Sequence, residues 1–226
     1  VDKDLSPEWE KGTDLSLKGI FGNNPPVTQI DSWNVLLRQY GVISWFMTEY
    51  IKTDAEWMQF AYEQAALAAA QGEIPVGAII VSNNQIIGQG FNSPISLNDP
   101  TAHAEIVAIR EACQAIQNYR LPDDAVLYVT LEPCTMCVGA LVHSRISRVV
   151  FGTTEPKAGS LISARKLFET GYYNHVFEFE SGCLQAQCAG QLSDFFRMRR
   201  EQKRQLKLQE RQMNAQNQAW ILFNIS

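Results

Sequence analysis

His103-Ala104-Glu105 and, 31 positions after the histidine, Cys134-Thr135-Met136-Cys137 with Pro133 in front form the pattern that most restricts what this chain can become. Nitrogen and sulfur donors in that combination suit zinc, so the fold must bring two distant segments into one coordination shell. Zinc prefers a tetrahedron, and a catalytic zinc keeps three protein ligands with one position open to water. His103, Cys134 and Cys137 make three. Water in the fourth position has its pKa lowered toward about 7, and Glu105 is the acid beside it, suited to carry protons. Two plainer readings compete: a lone C-x-x-C is also half of a zinc ribbon or a redox pair, and His-x-Glu is common by chance. A structural site closes all four positions with Cys or His. His143, His175, Cys113, Cys183 and Cys188 supply no second knuckle at short spacing, which favours the catalytic reading.

A length of 226 residues allows one domain with a substantial core plus extensions. With 46% apolar residues the chain is globular, and no apolar run approaches the roughly 18 residues a membrane span needs. Five cysteines, two of them committed to metal, fit a reducing cytoplasm better than a disulfide framework. The net charge of −5 does not advertise a nucleic-acid binder, but its distribution does. From Arg197 to Arg211 seven basic residues face two acids, a local +5 that leaves about −10 for the rest. Attraction for phosphate is thereby confined to one segment.

Residues 1–46 carry scattered charge, the turn-rich Gly22-Asn23-Asn24-Pro25-Pro26 and no sustained period, and read as a weakly ordered extension outside the chemistry. A zinc-site domain over 47–205 and a tail over 206–226 complete the division. Thr53 with Glu56 forms a capping box ahead of a helix that carries Trp57, Phe60, Ala61, Ala65 and Leu67 and stops at Gly72. Pro75–Val81 and Gln85–Gly90 read as a hairpin around Ser82-Asn83-Asn84, followed by a loop from Phe91 to Thr101. His103–Gln117 is a helix with Ile106, Ile109, Cys113 and Ile116 inward. Strands are expected at Val126–Leu131, Ser147–Gly152 and Val176–Glu180, alternating with helices at Cys134–His143 and Ser160–Glu169. That alternation predicts parallel pairing with helices on both faces. The last helix starts near Leu184, buries Leu192, Phe195 and Phe196, and loses its apolar stripe beyond Arg200, where it projects or frays.

Both ligand groups thus fall at helix starts, where unpaired N–H groups and the positive end of the helix dipole stabilise thiolates. Pro133 costs little there, since its missing N–H has no partner to lose.

Phe91-Asn92, Asp99–Glu105, Thr130–Cys137, His143–Ile146, Phe151-Gly152 and Ser193–Arg200 together closely resemble the bacterial tRNA-specific adenosine deaminases, within the cytidine/deoxycytidylate deaminase superfamily. The likeness runs over roughly residues 48–205. The metal motif alone is shared by cytidine, dCMP, guanine and riboflavin-pathway deaminases, so it speaks for chemistry and not substrate; Asp99–Glu105 and the Phe195–Arg200 ending point to tRNA. The resemblance implies a cytidine-deaminase-like three-layer α/β/α sandwich with a mixed sheet of about five strands, one Zn2+ per subunit, a homodimer, and conversion of the wobble adenosine of a tRNA anticodon to inosine. It also implies that Asn92 hydrogen-bonds the adenine and that Lys157, Asn174, Phe196, Arg197 and Arg200 approach the RNA. For Asn92 the plainer reading is a loop cap, for Phe196 core packing, and for the basic run a solvated helix face. The chain departs from the family in a shorter loop over Thr153–Gly159, in Glu155 where aspartate is typical, and in its two ends. A small-molecule nucleobase deaminase and an RNA-binding module with structural zinc remain alternatives. A closed pocket with no basic groove leading to it would favour the first.

Overall fold

A computed structural model describes residues 51–225, so the amino-terminal extension lies outside the described residues. A five-stranded mixed sheet runs through the middle in the order β2-β1-β3-β4-β5. Its strands are β1 (Gly77–Ser82), β2 (Gln85–Phe91), β3 (Val126–Leu131), β4 (Arg148–Thr153) and β5 (Glu178–Ser181). β1 is antiparallel to both β2 and β3, while β3, β4 and β5 pair in parallel. The helices are α1 (Asp54–Ala70), the single turn α2 (Pro94–Leu97), α3 (Ala104–Ala115), α4 (Thr135–Ser144) and α5 (Gln185–Ile225).

Strand alternation separates two cores. Ala78, Ile80, Leu127, Val129, Val149 and Phe151 pack under α3 and α4. The intervening Ile79, Val81, Tyr128 and Val150 meet Trp57, Met58 and Ala61 of α1 and Cys188 of α5 on the other face. Because successive side chains of a strand point oppositely, strands buried on both faces must be apolar throughout, as β1 is. The expected α/β/α layering follows.

β1 and β2 are joined by Asn83-Asn84, both at positive φ (49° and 57°), the two-residue turn whose twist matches a hairpin. Asp124 fastens it by accepting from Ser82 Oγ (2.7 Å) and Asn83 N (2.6 Å). α1 starts with the expected capping box, Thr53 N donating to Glu56 Oε2 at 2.9 Å. Its inner face is Trp57, Met58, Ala61, Ala65 and Ala68, whereas Phe60 and Leu67 are partly exposed. Small residues face inward because the helix backbone rests directly on β1: a Cβ at Gly77 would lie 2.1 Å from the Ala61 carbonyl oxygen.

The helix expected over Ser160–Glu169 does not form. Ala164 N donates to Gly159 O and Leu167 N to Ser160 O, spans of five and seven residues in place of four, and only the short 3-10 turn Leu167–Thr170 is helical. The reason is an acceptor outside the segment, described below. β5 begins two residues later than expected. α5 continues unbroken across residue 205 to Ile225, with residues 199–214 exposed. Gln, Lys, Arg, Glu, Leu and Met are strong helix formers, and Glu201 pairs with Arg204 (3.3 Å) and Gln205 (2.6 Å) along the helix.

Asp54 ties α1 to β3 and β4. Arg148 Nη2 and Nη1 donate to its two oxygens at 2.6 and 3.0 Å, and Tyr128 Oη donates at 2.7 Å. The Arg148 hydrogen bonds, opposed by burial and joined by Tyr128, hold the Asp54 carboxyl below its ordinary 3.8. A depressed carboxylate pKa contributes stability above the unfolded value and loses it as pH falls through the folded one. Asp54→Asn should therefore lower stability by about 1 kcal/mol at neutral pH, a figure already discounted for the partial exposure of the pair. That deficit should begin to shrink as pH falls below 3.8 and be lost only below the lower folded value, as urea midpoints of both chains across that acid range will show.

Candidate metal centre and catalytic pocket

His103 and Cys134 are the N-cap residues of α3 and α4, both extended (ψ 154° and 172°), and Cys137 follows in the first turn of α4. β3 ends at Leu131, so it delivers Cys134 to the edge of the sheet beside the start of α3. The three donor atoms converge: Cys134 Sγ lies 3.6 Å from Cys137 Sγ and 3.7 Å from His103 Nδ1, and Cys137 Sγ lies 3.6 Å from that same nitrogen. The edges of a zinc tetrahedron with Zn–S about 2.3 Å and Zn–N about 2.0–2.1 Å are roughly 3.6–3.8 Å, so the triangle fits this ion. Among the described residues this is the one group of three or more His, Cys, Asp or Glu side chains that could hold a metal. Among the described residues no fourth His, Cys, Asp or Glu donor joins the three.

Electrostatics agree with a cation-seeking triad. The contact from Cys137, then that from His103, lowers the Cys134 thiol to about 4 against the cost of burial. The same contact and burial push Cys137 far up, so without metal the two sulfurs share a proton that a divalent cation would displace. His103 is raised, chiefly by Cys134. Glu105, one residue into α3, is 4% exposed, and burial raises its carboxyl above the ordinary range, as suits a group that must both take and give a proton.

His103, Glu105 and Cys134 floor a cavity of about 570 Å³. Its walls include Asn92, Glu73 and Ile95, then Leu131, Glu132, Thr154 and Glu155, and from α5 Ala189, Leu192, Ser193 and Phe196. Asn92 does what the plainer reading supposed, its Oδ1 accepting from Ala104 N at 3.0 Å and so capping α3. That bond fixes the amide's orientation and leaves Nδ2 as a donor for the cavity. Phe196 is 41% exposed at the rim, and its neighbour Phe195 takes the core position. Adjacent helical residues point about 100° apart, so both could not be buried on one face. The expectation of a buried Phe196 is thus corrected. Lys157, Asn174, Arg197 and Arg200 are exposed and do not line the cavity. His175 Nε2 lies 2.6 Å from the Ile146 carbonyl, with no contact to the cavity.

Two acids of the wall were missed in the sequence. Glu73 Oε1 accepts from Ile95 N (2.9 Å) and Ser96 N (2.8 Å), fixing the one-turn helix α2. Glu132, 2% exposed, is the acceptor that unravels the expected helix. Its Oε1 takes the amides of Leu161 (3.1 Å), Ile162 (2.8 Å) and Ser163 (3.0 Å). Its Oε2 takes the Glu155 amide (3.1 Å) and the Ser163 hydroxyl. Burial alone would raise this carboxyl, but those donors, Ser163 and Ile162 foremost, hold it below the ordinary range. The chain from 154 to 163 curls around it, and only glycine fits at 159, where a Cβ would sit 2.3 Å from Oε2. The signal available was Glu132 standing two positions before a ligand; its partners lie too far along the chain for local pattern to find.

Comparison with known proteins agrees with the geometry. Residues 51–153 match the model of the cytidine and deoxycytidylate deaminase zinc-binding region. The tRNA-specific adenosine deaminase of Haemophilus influenzae is 51% identical over 152 residues, which are 67% of this chain and 87% of that protein. The enzyme of the same name from Bacillus subtilis is 43% identical over 151 residues, 67% of this chain and 93% of that protein. A solved structure from a study of A-to-I editing by tRNA:A34 deaminases superposes with a TM-score of 0.59 at 40% identity, over 61% of this chain and 99% of that one. Among the described residues no helix is long and apolar enough to cross a membrane. With the ligand triangle, the layered sheet and these identities in agreement, the chain belongs to the tRNA-specific adenosine deaminase family.

Proposed function

We propose that the chain hydrolytically deaminates adenosine to inosine at the wobble position of a tRNA anticodon, and that it does so as a homodimer in the cytoplasm. The observation that carries this is the pairing of a three-donor zinc triangle and a buried, proton-poised Glu105 with a cavity that has no lysine or arginine among its lining residues but opens, at Phe196, beside the exposed Arg197 and Arg200 of α5. A free nucleotide would need a cation there for its phosphate. A nucleoside whose phosphates stay outside, within a strand, would not.

His103, Cys134 and Cys137 would hold the zinc, which when bound supplies Lewis acidity toward water. Asn92, locked by its bond to Ala104, presents its amide to the purine edge. Glu105 takes one proton as water adds at C6 and delivers it to the ring nitrogen; it then takes the second proton from the new C6 hydroxyl and passes it to the amine, so that the C6–N bond breaks, ammonia leaves and the oxygen stays as the C6 carbonyl. An anticodon loop offers its bases already unpaired, which lowers the cost of placing one in the cavity. Phe196 at the rim would stack on a neighbouring base, with Arg197 next to it in the chain, Arg200 about one turn further along α5, and Lys157 and Asn174 as outer contacts to the RNA.

Incubation of the zinc-loaded protein with an adenosine-34 anticodon stem-loop should yield inosine, and activity should fall with chelation and return with zinc. Turnover of free guanine or cytidine, with none of the stem-loop, would overturn the reading.

A further inference from the structure

Five of the seven basic residues between Arg197 and Arg211 share one side of α5, with Arg199 and Lys203 outside it. At about 100° per residue, Arg197, Arg200, Arg204, Lys207 and Arg211 fall within an arc of about 80°, and the acids Asp194, Glu201 and Glu210 all lie outside it. That arc overlaps the one from which Ala189, Ser193 and Phe196 line the cavity. The stripe is therefore the cavity's own helix face carried outward, and Arg211 stands about 22 Å beyond Phe196 along the axis.

All of these side chains are exposed. Arg197 and Arg204 bond to Asp194 (2.6 Å) and Glu201 (3.3 Å) three residues earlier, both pairs well solvated and worth little. Arg200, Lys207 and Arg211 have no ion pair among the described residues. The cavity wall itself shows the opposite sign, with Glu73, Glu105, Glu132 and Glu155. Such a gradient orients a polyanion: base toward the acids, phosphates along the helix.

We propose that Arg204, Lys207 and Arg211 form a phosphate rail that holds the base-paired stem of the RNA whose loop enters the cavity. This rests on the substrate reading above and extends it from the loop to the stem. The rail neutralises backbone charge and reads no sequence, so it governs affinity and leaves the chemical step alone.

The test is Arg204→Gln/Lys207→Gln/Arg211→Gln, exposed changes to another good helix former. Two RNAs are compared, the anticodon loop closed by a minimal stem and the same loop in the whole tRNA. For the whole tRNA, KM and Kd should rise about tenfold or more at low salt with kcat unchanged. The slope of log K against log salt should shrink by about 3, one for each cation removed. The minimal stem-loop should bind and react as with the parent. Equal weakening for both RNAs, or no change for either, overturns the rail. Kd is read by fluorescence anisotropy without turnover. A parent that binds both RNAs but deaminates neither would sink the substrate reading, with the rail still judged on binding.

Discussion

Glu105→Ala should lower the deamination rate by about 10³-fold or more, while zinc content and thermal unfolding stay close to those of the parent. The carboxyl is buried at the floor of the cavity beside the ligand triangle, yet it is not one of the three converging donors. Removing it takes away a proton carrier and leaves the imidazole and both sulfurs in place. Its burial disfavours the charged form, so the neutral alanine costs the fold little. The decisive comparison is kcat against metal stoichiometry in the same preparation. Parallel loss of zinc and of folded protein would mean that Glu105 is structural and that the centre is not catalytic.

The second large effect is expected at Glu132, and it falls on the fold. Glu132→Ala removes one carboxylate and leaves five donors, on residues 155 and 161–163, without their acceptor. Orphaned buried donors cost about 1–3 kcal/mol each, and local rearrangement recovers part of that, so a net loss of about 3–5 kcal/mol is expected. Glu132→Gln keeps the shape and one acceptor oxygen, but sets a donor against the Glu155 amide, and should fall between. Chemical denaturation of the three chains gives the order. Near-equal midpoints for alanine and parent would show that the amides find water and that the carboxylate holds nothing.

The contrast between these two acids shows what the sequence could and could not disclose. Glu105 was readable because the function and its partners sit within a few residues and a fixed ligand spacing. Glu132 was part of a quoted segment, but its role depends on amides about 30 positions away, and its effect there was to replace a helix that Ser160–Glu169 would otherwise suggest. The strands were easy for a physical reason: burial on both faces demands long apolar β-branched runs, and Val126–Leu131 is one to the residue. Helix faces were harder. Along α1 the large residues Phe60 and Leu67 drew attention, while Met58 and Ala68 were the ones buried: azimuth decides which residues face the sheet, and where the helix backbone rests on Gly77 the inward residues, Ala61 and Ala65, are small. Phe195 and Phe196 could not be told apart by composition, only by azimuth. The continuation of α5 past Arg200 also escaped a reading based on apolar stripes, since propensity and charge pairing sustain that part of the helix.

The wall that curls around Glu132 is gripped almost wholly by peptide nitrogens, at residues 155, 161, 162 and 163. Every amino acid but proline brings that nitrogen with it. The outward side chains of this rim can therefore be exchanged without disturbing its path, Gly159 excepted, because the grip is on the backbone and not on what the backbone carries.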